Sequence, residues 1–278
     1  MSVIRYCAYN LLNGGIDTTR CEDRRGTQVE ILRPLEVDVL ALPECTHWDE
    51  GDFWRLHWLA NELKLAVFGV VQTQRYTGMT SPNFTALLYR PERLRVISGT
   101  TQLGHGALHH GAIRALLVDR DDQDKEYLVH ATHLTWTDGE RRLDESRWFT
   151  DKAQGRTILM GDLNADVPTA PEPNWSNIPR NLHSRYRRVL PDGTYGPADR
   201  RCTANLLNAG YVDPGVYLGL KPAPTTGHYY DNEPEPQTLD HILVGAELAD
   251  DIEEYWTVDT DEARTASDHL PKVLDLIT

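Results

Sequence analysis

The stretch Ile158-Leu159-Met160-Gly161-Asp162-Leu163-Asn164 sets a short apolar run against two polar side chains that could do chemistry. Such a run beside a Gly reads as a buried strand. Asp162 and Asn164, two residues apart, face the same way if the extended conformation persists. A carboxylate at the edge of an apolar core is costly unless a charge or hydrogen bond meets it, so the pair asks for a cation, a phosphate or both. Taken alone, Asp and Asn are also ordinary turn residues that cap strand ends. Repetition adds weight, because other expected strands are bounded in the same manner.

Gathered along the chain, the polar residues at strand boundaries are Asn10, Glu44, His133, Asp162, Asn164, Asp240, Asp268 and His269. The set holds acids, amides and imidazoles and no lysine. Carboxylate and amide oxygens suit a hard cation, Mg2+ or alternatively Mn2+, held by one or two carboxylates plus a substrate phosphate. A His with an Asp partner keeps one tautomer and moves a proton near neutral pH. Together these parts describe phosphoester hydrolysis by an activated water.

The elements that must position them are legible in outline. Val3 to Tyr9 reads as a strand, Arg24 to Glu36 as a helix, Val37 to Leu42 as a strand and Asp52 to Leu65 as a helix, with Asp52 complementing its dipole. Ala66 to Val71, Phe84 to Tyr89, Leu94 to Ile97 and Ile113 to Asp119 follow as strands joined by short turns, a meander that implies an antiparallel or mixed sheet. Glu126 to His133 is another strand and Arg141 to Lys152 a helix. From Pro168 to Pro236 the chain reads mostly as loop, with only Cys202 to Ala209 helical. Leu239 to Val244, Tyr255 to Val258 and Leu270 to Leu276 complete the strands.

No Gly/Ser-rich or Pro-rich linker of useful length interrupts this alternation, so residues 1–278 are expected to form a single domain. No run approaches the apolar length of a membrane span, and Met1 to Tyr6 enters a strand without the regions of a signal peptide. A soluble, cytoplasmic protein is expected. Cys7, Cys21, Cys45 and Cys202 form neither a CxxC pair nor a dense framework, which fits reduced thiols. The net charge of −14 repels long polyanions and favours a small anionic substrate in a local pocket.

In their order along the chain, Tyr9-Asn10, Leu42-Pro43-Glu44, Thr132-His133-Leu134, Gly161-Asp162-Leu163-Asn164, Leu239-Asp240-His241 and Ser267-Asp268-His269 resemble the endonuclease/exonuclease/phosphatase superfamily, the deoxyribonuclease I-like fold. The resemblance spans nearly the whole chain. It implies an α/β (α+β) fold, a four-layer sandwich of two packed mixed β-sheets flanked by helices, with the site at one end of the sheets. It implies that Glu44 is the principal metal ligand, with Asn10 and Asp268 as nearby or second-ion ligands. His269 is similar to the catalytic histidine and Asp240 to the carboxylate that orients it. Asp162 resembles the residue that aligns or deprotonates the water, Asn164 a phosphate-oxygen donor, and His133 the histidine that steadies the developing phosphorane or helps the leaving group. Both Asp162 and His269 stay open as the general base. Pro43 stands where the family often has Gln, and Thr238-Leu239-Asp240 where Arg-Ile-Asp is usual. Neither departure removes a reacting group.

For the substrate, Arg180, Arg185, Arg187, Arg188, Arg200 and Arg201 face only Asp192 and Asp199 within the Arg180 to Arg201 segment. Arginine forks suit phosphate, and Arg187 and Arg188 are the expected substrate contacts. Trp136, Trp175 and Tyr229-Tyr230 could stack on a base or sugar, or pack their own loops down. The expected activity is Mg2+-dependent hydrolysis of a small phosphate mono- or diester. The alternatives are a nuclease for DNA or RNA, which the net charge disfavours, and a catalytically silent binding module of the same fold.

Overall fold

The computed structural model describes residues 2–74, 80–104 and 106–278. In chain order the strands are β1 (Val3–Ala8), β2 (Val39–Leu42), β3 (Ala66–Gln74), β4 (Thr80–Tyr89), β5 (Leu94–Leu103), β6 (Ala112–Asp119) and β7 (Glu126–His133). They continue as β8 (Thr157–Asp162), β9 (Arg187–Val189), β10 (Tyr195–Ala198), β11 (Asp240–Val244), β12 (Ile252–Thr257) and β13 (Lys272–Ile277). The α-helices are α1 (Asp23–Leu32), α2 (Trp54–Leu63), α3 (Gly139–Ser146), α4 (His183–Tyr186), α5 (Arg201–Ala209), α6 (Pro214–Tyr217) and α7 (Asp261–Ala266).

Two mixed sheets pack face to face. One has the order β12-β13-β1-β2-β4-β3 and the other β11-β8-β7-β6-β5. Period-2 alternation explains why both faces of the central strands are apolar. Ile4, Tyr6 and Ala8 of β1 meet Ile158 and Met160 of β8 in the core between the sheets. Cys7 and Tyr9 turn the other way, onto Val29, Leu32, Leu56 and Leu59 of α1 and α2. On the far side Leu159 packs with Phe149 and Leu206. The result is the expected layering of helices, sheet, sheet and helices.

Within each sheet one pair is parallel, β1 with β2 and β7 with β8. Parallel neighbours end side by side, so each pair delivers two chain exits to the same edge. Asn10 and Glu44 leave one sheet there, and His133 and Asp162 leave the other. The expected meander is divided between the two sheets, since β4 belongs to the first and β5 to the second. The first helix stops at Leu32 and continues only as a 3-10 turn, Arg33–Leu35, where Pro34 removes a donor. Asp52 does not start a helix, because it and Phe53 are left-handed, with φ of 57° and 60°. The loop expected over Pro168 to Pro236 also carries α4, α6 and the β9-β10 hairpin. All four cysteines are free thiols. Among the described residues no helix is long and apolar enough to cross a membrane.

One backbone position in β8 admits only glycine. Gly161 has φ of 136°, and a Cβ there would lie 1.8 Å from Thr132 O on the neighbouring strand. Gly161→Ala is expected to cost about 3 kcal/mol or more, because a backbone rather than a side chain must give way. Chemical denaturation checks this, and a loss below about 1 kcal/mol would show that the strand relaxes freely.

A carboxylate and imidazole cluster at the sheet ends

Cross-strand register builds the first half of the site. His133 pairs with Asp162 across β7 and β8, and Asp162 pairs with Asp240 across β8 and β11. Directly opposed residues share a face of the sheet, so the three side chains form one row. His133 Nε2 lies 3.4 Å from Asp162 Oδ2. The facing sheet adds Asn10, whose Nδ2 donates to Asp162 Oδ2 at 3.1 Å and to Glu44 Oε1 at 3.3 Å. Asp268 and His269 come from the turn before β13. His269 Nδ1 donates to Asp240 Oδ2 at 2.6 Å, which leaves Nε2 turned toward Asp162 Oδ2, 3.8 Å away.

The backbone here is bent to purpose. Glu44 and Asn164 adopt left-handed conformations, with φ of 61° and 52°. That conformation costs a non-Gly residue roughly 1–2 kcal/mol, and such outliers concentrate where structure serves a site. Glu44 is braced by Asn13 N–H, which donates to Oε2 at 3.0 Å. Asn164 donates its backbone N–H to Asp162 Oδ1 at 2.8 Å and its Nδ2 to Leu134 O at 2.9 Å.

Electrostatics follow from burial. Burial raises the Asp162 carboxyl above the usual range, and the nearby His269 and His133 only partly offset this. Burial, with repulsion from Glu44, Asp162 and Asp240, pushes Asp268 up to about 6 despite His269. Burial alone would lower His269, but Asp240 and Asp162 outweigh it and hold the imidazole well above its ordinary value. Asp240 Oδ1 and Asp268 Oδ1 are buried without a hydrogen-bond partner. Unmet carboxylate oxygens among converging acids are what a hard divalent cation satisfies, so the donor set fits Mg2+ or Mn2+.

Two arrangements could hold such an ion. Asp162, Asp240 and His269 have ligand atoms within 4.8 Å of one another. Yet the Asp240 and His269 atoms nearest each other are already joined by their 2.6 Å hydrogen bond. Asp268 keeps an unpartnered Oδ1, each Glu44 oxygen accepts a single hydrogen bond and retains a lone pair, and both residues line the cleft. Asn10 presents its amide nitrogen to the acids, since its Oδ1 accepts the Leu12 N–H at 3.0 Å. Serving as an oxygen ligand would require a half-turn of that amide and loss of the Leu12 contact.

The cleft above the cluster has a volume of about 560 Å3. Of the residues singled out in the sequence, Glu44, His133, Asp162, Asn164, Asp268 and His269 line it. Asn10 and Asp240 stand immediately behind, fully buried. Arg187 and Arg188 do not reach it. Arg187 donates to Gly196 O and Tyr195 O at 2.7 and 3.0 Å and stacks on Trp175, while Arg188 is exposed on β9. The hairpin consumes Arg187 to satisfy its own carbonyls. Arg185 lines the cleft instead, with its guanidinium 4.3 Å from the centre of the Trp136 ring. Trp136, Tyr229 and Tyr230 also line the cleft, and Trp175 does not.

His110 went unrecognised in the sequence. Its ring stacks on His133 with centroids 3.8 Å apart and planes 3° from parallel, and its Nδ1 meets Thr73 Oγ1 at 2.9 Å. Burial, then His133 and His109, drive it well below the ordinary histidine range, so it is neutral. The His109-His110 doublet just before β6 was the available signal.

The model of the Endonuclease/Exonuclease/phosphatase family matches residues 7–269. No match is found among curated proteins. Among solved structures, the human Nocturnin catalytic domain with bound sulfate anion is 17% identical, with 98% of this chain and 92% of that one covered and a TM-score of 0.65. Mannosyl-6-phosphatase Bt3783 of Bacteroides thetaiotaomicron is 15% identical over 99% and 100% of the two chains, with a TM-score of 0.63. An AP endonuclease from Archaeoglobus fulgidus is 15% identical over 99% and 100%, with a TM-score of 0.64. At such identities the structures speak for a shared fold. The family match, which runs from within β1 to His269, carries the assignment: the chain belongs to the endonuclease/exonuclease/phosphatase family, whose members are hydrolases.

Proposed function

We propose that this cleft hydrolyses a small phosphate mono- or diester with the help of a divalent cation. Four carboxylates, Glu44, Asp162, Asp240 and Asp268, converge under a cleft that holds one arginine among the described residues, and two of their oxygens are buried unsatisfied. Glu44 and Asp268 would hold Mg2+ or Mn2+, which when bound neutralises charge at the phosphate oxygens. Asp240 holds His269 at Nδ1, so that Nε2–H faces the cleft and can donate to a phosphate oxygen. Asp162, fixed by Asn164 and Asn10 and made more basic by burial, takes the proton of the attacking water. His133 stands beside it to serve the leaving group.

A small substrate is favoured over a polynucleotide because the cleft is walled by Trp136, Tyr229 and Tyr230 and rimmed by Glu233, in a chain of net charge −14. The test is turnover of phosphomonoesters, dinucleotides, lipid phosphodiesters and single- and double-stranded nucleic acids with Mg2+ or Mn2+, as a function of NaCl. A small ester should be turned over fastest, with a shallow dependence on salt. Faster cleavage of a polynucleotide with a steep salt slope would make the protein a nuclease. No turnover of any member with either ion would leave a binding module.

Substitutions at Arg185 and His110 test the cleft residue by residue. Arg185→Ala should raise KM roughly tenfold and lower kcat less, as loss of one charge-assisted contact common to ground and transition states does, whereas Arg187→Ala should leave KM unchanged. Equal effects of the two would remove Arg185 from the substrate site. His110→Ala should lower kcat about tenfold, because a stacked ring pair is worth about 1 kcal/mol and its loss frees His133 to tilt. His110→Phe should restore most of that rate. Failure of Phe to rescue would assign His110 a role beyond stacking.

A further inference from the structure

Gln237 and Leu239 line the catalytic cleft, while Thr238 and His241 line a second cavity of about 370 Å3. One extended segment therefore separates the two and contributes side chains to both. The second cavity is largely apolar, and Val216 and Leu220, 51% and 46% exposed, leave its rim open to solvent.

Three polar groups at this cavity have unmet capacity. Lys272 opens β13 on the face shared by Leu274 and Leu276, where the pattern calls for an apolar residue. It is 3% exposed, donates only to Thr257 Oγ1 at 3.0 Å, lies 4.2 Å from the Tyr255 ring centre and makes no ion pair among the described residues. Asp213 is 8% exposed, and its Oδ1 accepts the N–H groups of Gly215 and Val216, while Oδ2 accepts none among the described residues. His241 is 2% exposed, and its Nε2–H donates to Ala165 O at 2.9 Å, which leaves Nδ1 as an open acceptor.

A buried ammonium and a buried carboxylate that do not pair with each other are costly. A ligand that supplies both complements would relieve the cost. We propose that this cavity binds a small zwitterion of the amino-acid type with an apolar side chain, its carboxylate on Lys272, its ammonium on Asp213 and His241, and its side chain among the apolar residues. The cavity's two buried charged groups are of opposite sign, with Lys221 exposed at the rim, so a ligand that carries both charges satisfies both, as a simple acid or a simple amine does not. Burial pulls Lys272 down to about 8, against the opposing effect of Asp213 and Asp240. The ammonium is therefore the main form at neutral pH.

The site is independent of the hydrolytic reading, and its test uses binding alone. Titrate the protein calorimetrically with L-leucine, L-methionine and L-phenylalanine, and with 4-methylpentanoate and 3-methylbutylamine as analogues carrying one charge. At least one amino acid should bind saturably, and roughly tenfold or more tighter than either analogue, the size of one charge-assisted hydrogen bond. Lys272→Met, which keeps the volume among apolar neighbours, and Asp213→Asn, which keeps the accepting Oδ1, should each weaken it by roughly the same factor. Amide and imidazole NMR shifts need no variant, and they should move at Val216 and His241 and not at His133 and His269. No saturable binding, equal binding of an analogue, undiminished binding by both variants, or shifts confined to the catalytic histidines would each overturn the proposal.

Discussion

His269→Ala should lower kcat about 1000-fold, the upper end of what losing one preorganised donor to the transition state costs, and adding Asp240→Asn should cost little more. The two side chains touch at 2.6 Å, and Asp240 reaches the cleft only through the imidazole. With Asp240 neutral the His269 pKa should fall, since Asp240 is the strongest influence holding it up against burial. Asp240→Asn alone should therefore both slow turnover and shift its pH profile, a change that mere loosening of the fold would not produce. The fold should survive, because a buried charge is removed without loss of shape. The check is kcat against pH for the native protein, the two single variants and the double. A double variant within about threefold of His269→Ala shows one unit. Fully additive losses would show two residues acting separately.

The residues of this site were legible because each is a polar interruption at the end of an apolar strand. Asp162 after Ile158 to Gly161 and His133 after Glu126 to Thr132 announce themselves in this way. The order of motifs also carried the layered fold. Their pairing was not legible, since the row His133, Asp162, Asp240 arises from register between segments distant in the chain. Local pattern says nothing of which strand lies beside which, and so the passage of the chain from one sheet to the other after Tyr89 was invisible.

Arginine in the long loop shows the other limit. Local charge singled out Arg187 and Arg188, but the hairpin turns Arg187 onto its own carbonyls and exposes Arg188. Arg185 reaches the cleft because it lies on the short helix preceding that hairpin, whose direction no periodicity reports. Arg200 and Arg201 are spent on Glu172, Asp199 and Glu140. Composition located a positive segment, and only packing decides which of its charges remain free.

Glu44→Gln should weaken Mg2+ binding roughly 100-fold, the upper end of what changes even to outer partners of a metal site produce, and should abolish most turnover at millimolar Mg2+. The left-handed backbone at Glu44 places its carboxylate between Asn10 Nδ2 and Asn13 N–H, with Asp268 close enough to be raised by its charge. Gln keeps one accepting oxygen and the same length, so it loses a charge and one of the two hydrogen bonds but little packing. Stability should therefore change by less than about 2 kcal/mol. Affinity in the native protein should also fall below pH 6. A carboxyl raised to about 6, as Asp268 is, takes up its proton as pH drops through that value and stops serving as an anionic ligand. Calorimetric Mg2+ titrations of both forms after chelation, at pH 5 and pH 7.5, measure the two effects, and excess Mg2+ should restore part of the variant's turnover. Equal affinity in the two forms, with unchanged turnover, would move the cation away from Glu44 and toward Asp162, Asp240 and His269.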